Sequence, residues 1–220
     1  MGDEVMEIIP STVKLYGEVK IGEDVKIGDY TIIGLRIDSN ESENKSPTII
    51  GDNCTIGSHV VICGGANIGN KTKIEDFCRI GEGVKIGLNC NILYGAKIYD
   101  DAKIGDNSII GGFVCERAEI GNNVRMFGEL LHVHREPHLG WDDVIEKSPI
   151  IESSVFIGFG AKIIGEIRIG QYSYIAAGAI VTKNVPPKSI VAGINKIVPY
   201  KEWNGKLKNS RFFVGDIKCK

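Results

Sequence analysis

Residues 50–110 read IGDNCTIGSHVVICGGANIGNKTKIEDFCRIGEGVKIGLNCNILYGAKIYDDAKIGDNSII, and Ile50, Ile56, Ile62, Ile68, Ile74, Ile80, Ile86, Ile92, Ile98, Ile104 and Ile110 recur in it every six residues without a break. Seven of these isoleucines are followed at once by Gly. Four positions after each of the first ten stands a small or β-branched residue, as at Cys54, Val60, Ala66 and Thr72. A period of six is neither the 3.6 of a helix nor the plain alternation of a long strand. Two residues separated by two on one short strand point the same way, so each isoleucine and the small residue before it share an inward face. The remaining places hold Lys, Asp, Asn and Glu, which suits an outer wall. The Gly after Ile predicts a sharp bend into the next strand. Three hexads then close one triangular coil, and stacked coils pair through their backbones about 4.8 Å apart. Short internal repeats of this kind signal a β-helix. Burial of each isoleucine contributes roughly 1.5–3 kcal/mol, which makes the column the source of stability.

Outward from this stretch the register continues with two interruptions. Ile9, Leu15, Ile21, Ile27 and Ile33 open it, with Val13, Val19, Val25 and Thr31 as inward partners. Ile33 and Ile50 are seventeen residues apart, so a polar, acidic loop at 34–49 is expected to leave the coils as a solvated excursion. After Ile110 the register slips at GGFVCERAE and resumes at Ile120 and Met126. A longer insertion is expected at 127–150, before the last register of Ile151, Ile157, Ile163, Ile169, Ile175 and Val181. The hexads add up to about eight coils. Pro186 and Pro187 cannot continue a paired strand, so the reading is one β-helix domain over 1–200 and a C-terminal tail over 201–220.

Composition narrows the partners. With 26 Lys+Arg against 28 Asp+Glu the net charge is −2, which offers no footprint for nucleic acid. No apolar run is long enough to span a membrane and the N-terminus lacks a signal-peptide pattern, so a cytoplasmic location and no membrane partner are expected. The six cysteines form no CxxC, and Cys54, Cys78 and Cys90 occupy small inward slots. Cys54 and Cys90 fall on one face two coils apart, about 9.6 Å by the strand spacing, too far for a disulfide.

The repeat Ile-Gly-x-x-small-x resembles the left-handed β-helix of the hexapeptide-repeat acyltransferases. The run from Gly178 to Gly193, GAIVTKNVPPKSIVAG, is similar to the closing motif of the acetyl-CoA-dependent branch, which includes galactoside, maltose, xenobiotic and nucleotide-sugar acetyltransferases. The resemblance covers residues 9–200. It implies an all-β, left-handed parallel β-helix, a homotrimer with active sites between neighbouring prisms, and transfer of acetyl from acetyl-CoA to a hydroxyl or amine of a sugar or nucleotide-sugar.

The same resemblance assigns the site. Galactoside-type members take their base histidine from a local HPVHH sequence; here the loop reads LHVHREPH from Leu131 to His138. An ungapped match puts that base at Leu131, a departure from the pattern, while a one-residue gap puts it at His132, and His134 matches the second histidine. The base is therefore His132 or His134, and imidazole suits proton abstraction near neutral pH. Backbone groups at Gly158, Phe159, Ala176 and Ala177 are implied to line the pantetheine arm, and Lys183 and Lys196 to meet the CoA phosphates. Trp141, Asp142 and Asp143 are candidates for stacking on and bonding a polyhydroxylated acceptor. His59 reads as a filler of the outer wall. His-x-His-x3-His at His132, His134 and His138 could instead hold zinc. The γ-class carbonic anhydrases, which share this scaffold, take their ligands from the coils and a neighbouring chain, a layout that three loop histidines do not reproduce. That enzyme and a non-catalytic assembly protein are the two competing readings; the acetyltransferase reading expects no metal.

Overall fold

The computed structural model describes residues 9–36, 46–133 and 146–204. Strands of two to four residues follow one another around a triangle, and up to Lys162–Ile164 each pairs in parallel with the strand three places on, so that Lys14 lies beside Ile32 and Arg79 beside Lys97. Three faces result. Face A runs from Lys14–Leu15 to Ile180–Val181 with nine strands, and face B from Val19–Ile21 to Arg168–Ile169 with eight. Face C has ten, from Lys26–Ile27 to Lys196–Pro199. The last strand of face C, Lys196–Pro199, runs antiparallel to Ser189–Ala192. The described part is thus a left-handed parallel β-helix.

Nine coils are present among the described residues, one more than the hexads suggest. Their inward triads begin at Leu15, Ile21 and Ile27 in coil 1. They end at Val181, Val185 and Val191 in coil 9, whose face-B member makes only an isolated bridge to Ile169. The face-A members of coils 6 and 7 escaped the count because the chain steps only four residues, from Ile110 to Val114 and from Met126 to Leu130, at the corner between faces C and A. Ile9 precedes the first strand and is 40% exposed, so it is no member of the column. From Ile33 upward the inward residues are sealed: Ile62, Ile80 and Ile98 are wholly buried, as are Val181 and Val191. Leu15, at the lowest coil, is 46% exposed.

The glycine after each isoleucine serves a different purpose from the bend expected. Gly51, Gly57, Gly87 and Gly105 lie outside the left-handed region, which is occupied two residues later by Asn53, His59, Asn89 and Asn107. What these glycines provide is close approach. A Cβ on Gly51 would stand 2.2 Å from Asn70 Oδ1, and one on Gly105 would stand 2.2 Å from Asn122 Oδ1. Those side chains accept the amides of the corner below: Asn70 Oδ1 takes the Asp52 N–H at 3.1 Å, and Asn122 Oδ1 takes the Asp106 N–H at 2.8 Å. Corner amides that a tight turn would leave unsatisfied are thereby bonded.

The inward small slots hold Cys54, Cys78 and Cys90, while Cys63 and Cys115 follow the column residues Ile62 and Val114; all five are free, buried thiols. Burial pushes Cys78 up to about 11 and Cys115 up to about 12. His59 sits outside, as a wall residue should, but within a column of rings on the corner between faces C and A. It stacks between Tyr30 at 5.1 Å and Phe77 at 5.0 Å, and Tyr94 meets Phe77 edge-on at 5.5 Å. The coil rise sets this spacing, which suits aromatic contact.

Candidate active site

Both insertions leave the prism at one corner, that between faces A and B. The first departs after Arg36 in coil 2 and returns at Ser46. The second departs after the face-A strand Glu129–Leu131 in coil 7 and returns before Ile150–Ile151. It therefore begins later than the 127 expected, because Phe127 to Leu131 still belong to the coils.

His132 stands at the departing stem of the second insertion, and its side chain is only 12% exposed. Its Nδ1 lies 3.7 Å from Glu146 Oε2 on the returning stem. Its Nε2 lies 3.1 Å from Ser148 Oγ and 3.2 Å from the Glu116 carbonyl, one coil below. The Ser148 hydroxyl donates to that same carbonyl. With the one hydroxyl proton committed there, Nε2 carries a proton and donates to Ser148 Oγ and the Glu116 carbonyl. Neither ring nitrogen is turned to solvent. Val133 presses on the coil above, where a Cβ on Gly165 would stand 2.7 Å from Val133 Cγ2, and Lys147 pairs with Glu166 at 2.8 Å. His132 is thus the centre of a clasp joining both stems to coils 6 and 8.

The residues assigned to the donor gather at the top of the same prism. Gly158 and Phe159 form the corner between faces C and A in coil 7, and Ala176 and Ala177 form it in coil 8. They stack so closely that a Cβ on Gly158 would stand 2.6 Å from the Ala177 nitrogen. Most backbone groups here are engaged: the Gly158 carbonyl accepts from Ala161, the Phe159 carbonyl from Gly178 and the Ala176 carbonyl from Ala179. The amides of Phe159 and Ala177 and the Ala177 carbonyl have no backbone partner among the described residues, so polar groups remain for an amide-bearing chain. Phe159 is 70% exposed and stacks on Phe127 at 4.7 Å. Beside this pair Phe156 stacks on Tyr174 at 4.7 Å, making an aromatic shelf that the sequence reading missed.

Lys183 and Lys196 are each one residue from a bonded pair, for the Asn195 side-chain amide donates to Thr182 Oγ1 at 2.9 Å and its carbonyl oxygen accepts the Thr182 N–H at 2.8 Å. The C-terminal strand therefore folds Lys196 back toward Lys183, and both are exposed. Face A in coils 7 to 9 is flanked by the His132 clasp on one corner and by Gly158 and Ala177 on the other. His134, His138, Trp141, Asp142 and Asp143 lie outside the described residues, as do two ligands of the zinc reading. Among the described residues no group of three His, Cys, Asp or Glu side chains is placed to hold a metal, and no helix is long and apolar enough to cross a membrane.

Comparison with known proteins agrees with this architecture. Residues 47–75 match the family model described as the hexapeptide repeat of succinyl-transferase. Serine acetyltransferase of Mycobacterium tuberculosis is 35% identical over 86 residues, covering 38% of this chain and 34% of the relative. Bifunctional protein GlmU of Caldanaerobacter subterraneus is 30% identical over 196 residues, covering 89% of this chain and 38% of the relative. The chain thus spans little more than a third of the length of these two relatives. Among solved structures, UDP-N-acetylglucosamine acyltransferase of Francisella novicida superposes with a TM-score of 0.68 at 24% identity, covering 86% of this chain and 67% of that one. The corresponding enzyme of Bacteroides fragilis gives 0.58 at 24% identity, covering 87% and 73%. In its repeat this chain is similar to hexapeptide-repeat acyltransferases, and in its coils to their β-helix fold.

Proposed function

We propose that the chain is an acetyl-CoA-dependent acetyltransferase acting on a hydroxyl or amine of a sugar or nucleotide-sugar, working as a homotrimer. The observation that carries this reading is the convergence on face A: a histidine-bearing insertion on one corner, a glycine-cleared corner with spare amides on the other, and Lys183 and Lys196 exposed at the top of the prism. Acetyl transfer requires a base to accept the proton from the attacking hydroxyl or amine while the thioester carbonyl is held still. The Phe159 and Ala177 amides and the Ala177 carbonyl suit the two amides of a pantetheine arm. Lys183 and Lys196 suit phosphate as point charges.

Of the two candidate bases, His132 has Nε2 engaged by Ser148 Oγ and the Glu116 carbonyl, while its Nδ1 faces the Glu146 carboxylate at 3.7 Å rather than an open cleft. We therefore assign His132 to positioning and His134, two residues on, to proton abstraction, with Trp141 and Asp142 toward the acceptor. The decisive assay measures release of free CoA thiol with a panel of hydroxyl and amino-sugar acceptors, for wild type, His134→Ala and His132→Ala. Turnover with one acceptor class, lost in His134→Ala at unchanged acetyl-CoA affinity, is the expected outcome. No thiol release with any acceptor, together with no calorimetric binding of acetyl-CoA, overturns the enzyme reading. Light scattering tests the assembly: a monomer at micromolar concentration excludes a site shared between copies.

A further inference from the structure

A trench of about 570 Å³ runs along the corner between faces A and B in coils 2 to 5. That volume lies inside the range of roughly 300–1,000 Å³ typical of small-molecule sites. Glycine makes the space. Where neighbouring corners carry Asn53, Lys71 and Asn89 in the left-handed region, coils 3 and 4 carry Gly65 and Gly83 here, and a Cβ on Gly83 would stand 2.4 Å from Asp101 Oδ1, so that carboxylate lies over the glycine. Gly64 is cleared for another reason: a Cβ there would stand 2.6 Å from Arg36 Cγ and 2.7 Å from Arg36 Nε. The Arg36 side chain lies across this glycine, donating from Nη2 to the Ser46 carbonyl at 2.8 Å and from Nη1 to Glu82 Oε2 at 3.4 Å.

The charges along the trench are not equally committed. Asp100 Oδ1 accepts the Glu82 N–H at 2.9 Å and lies 3.9 Å from Arg79 Nη1, so it belongs to the corner's own bonding. Glu82 holds Arg36. Lys85 on face B of coil 4 and Asp101 at the corner of coil 5 are exposed; their backbone amides pair with Ala102 and Glu82, but neither side chain makes a hydrogen bond or close ion pair with another described residue. A free cation backed by a fixed guanidinium and a free anion thus border one glycine-floored space.

We propose that this trench binds a small zwitterion, its carboxylate or phosphate at Lys85 and Arg36 and its ammonium at Asp101. Amino acids and phosphorylated amino sugars share that chemistry. The site is separate from acyl transfer: Asp101 in coil 5 lies two coils below His132 in coil 7, about 9.6 Å along the axis, and the donor corner lies higher still and across face A. It stands whether or not the chain transfers acetyl groups.

The test is calorimetric titration of the full chain, without any acyl-CoA, with glucosamine 6-phosphate and with L-serine. Glucose 6-phosphate and glucosamine serve as controls lacking one charge, and ethanolamine and lactate do so for L-serine. At least one doubly charged probe is expected to bind about tenfold more tightly than its own controls. Asp101→Asn should erase the advantage over the probe without ammonium, and Lys85→Met the advantage over the probe without the anion. Both positions are exposed, so both variants should melt as wild type does. Which probe responds distinguishes the two ligand classes. Saturating acetyl-CoA should leave the affinity unchanged. Absence of binding for both probes at millimolar concentration, binding that survives both substitutions, or displacement by acetyl-CoA each overturns the proposal.

Discussion

Replacing Ile80 by Ala probes the column where it is best sealed. Ile80 is wholly buried and is stacked between Ile62 below and Ile98 above. The change deletes three carbons, worth about 0.8 kcal/mol each in transfer, or ~2.4 kcal/mol. The hole left between paired strands has little freedom to collapse and adds a cavity term of ~24 cal/mol per Å³. The sum is about 3–4 kcal/mol, within the range of roughly 2–5 kcal/mol for such truncations. For a chain of this size that lowers the melting temperature by roughly 7–14 °C. Leu15→Ala is the matched control, since Leu15 lies in the lowest coil and is 46% exposed. About half its transfer term is at stake and no enclosed cavity forms, so ~1 kcal/mol and a few degrees are expected. Thermal and urea unfolding followed by far-ultraviolet circular dichroism measure both. Stacked repeats relieve strain locally, so the difference between the two variants is the more telling quantity. Equal destabilisation by the two would refute the idea that the sealed column carries the stability.

Four further outcomes follow from the upper coils and the thiols. His134→Ala should lower turnover by roughly 10²–10⁴-fold, whereas His132→Ala should lower the melting temperature as well, because it opens the clasp with Glu146 and Ser148. Lys183→Ala and Lys196→Ala should each weaken acetyl-CoA binding with a smaller effect on saturated turnover, as separate Kd and kcat measurements will tell. Gly158→Val places a side chain against the Ala177 backbone, 2.6 Å from its nitrogen at the Cβ alone, and should cost both stability and donor affinity. Cys78 and Cys115 are raised to about 11 and about 12, so the folded state keeps protons that the unfolded chain sheds from about pH 8.5 upward. Their contribution to stability is full below that pH and is lost as pH rises through 11 to 12. Alkylation of both thiols at neutral pH should therefore be slow until the chain is unfolded.

The fold was legible because the repeat has one inward residue type at one interval, and Ile50 to Ile110 hold it without exception. The count of coils was not. Val114 and Leu130 replace isoleucine where the chain cuts a corner by two residues, so a search for a fixed six-residue step passes over both. The same short step from Val181 to Val185 hid the last coil. Glycine after isoleucine was correctly seen as demanded, but the reason lies in the neighbouring coil, nineteen residues on from Gly51 and seventeen from Gly105, where Asp and Asn oxygens need the room. At the site, Gly158–Phe159 and Ala176–Ala177 each follow a face-C isoleucine, and the repeat stacks the two pairs one above the other. The partners of His132 come from Glu116, Glu146 and Ser148, which no short pattern joins to it. They meet only because the insertion closes on itself at one corner.

That shared corner has a consequence for how the chain tolerates change. One hexad is one face, a third of a revolution, so an added hexad would turn every later coil by that angle relative to every earlier one. The two insertions depart five coils apart and still emerge in line, and the shortened steps at Val114 and Leu130 remove residues without skipping a face. Length is free to vary at the corners while rotational phase is kept. Loops of new sequence grafted after Arg36 or His132 would be phase-neutral, whereas six residues added between coils 5 and 6 would swing the His132 clasp and every coil above it away from the trench while leaving each half internally intact.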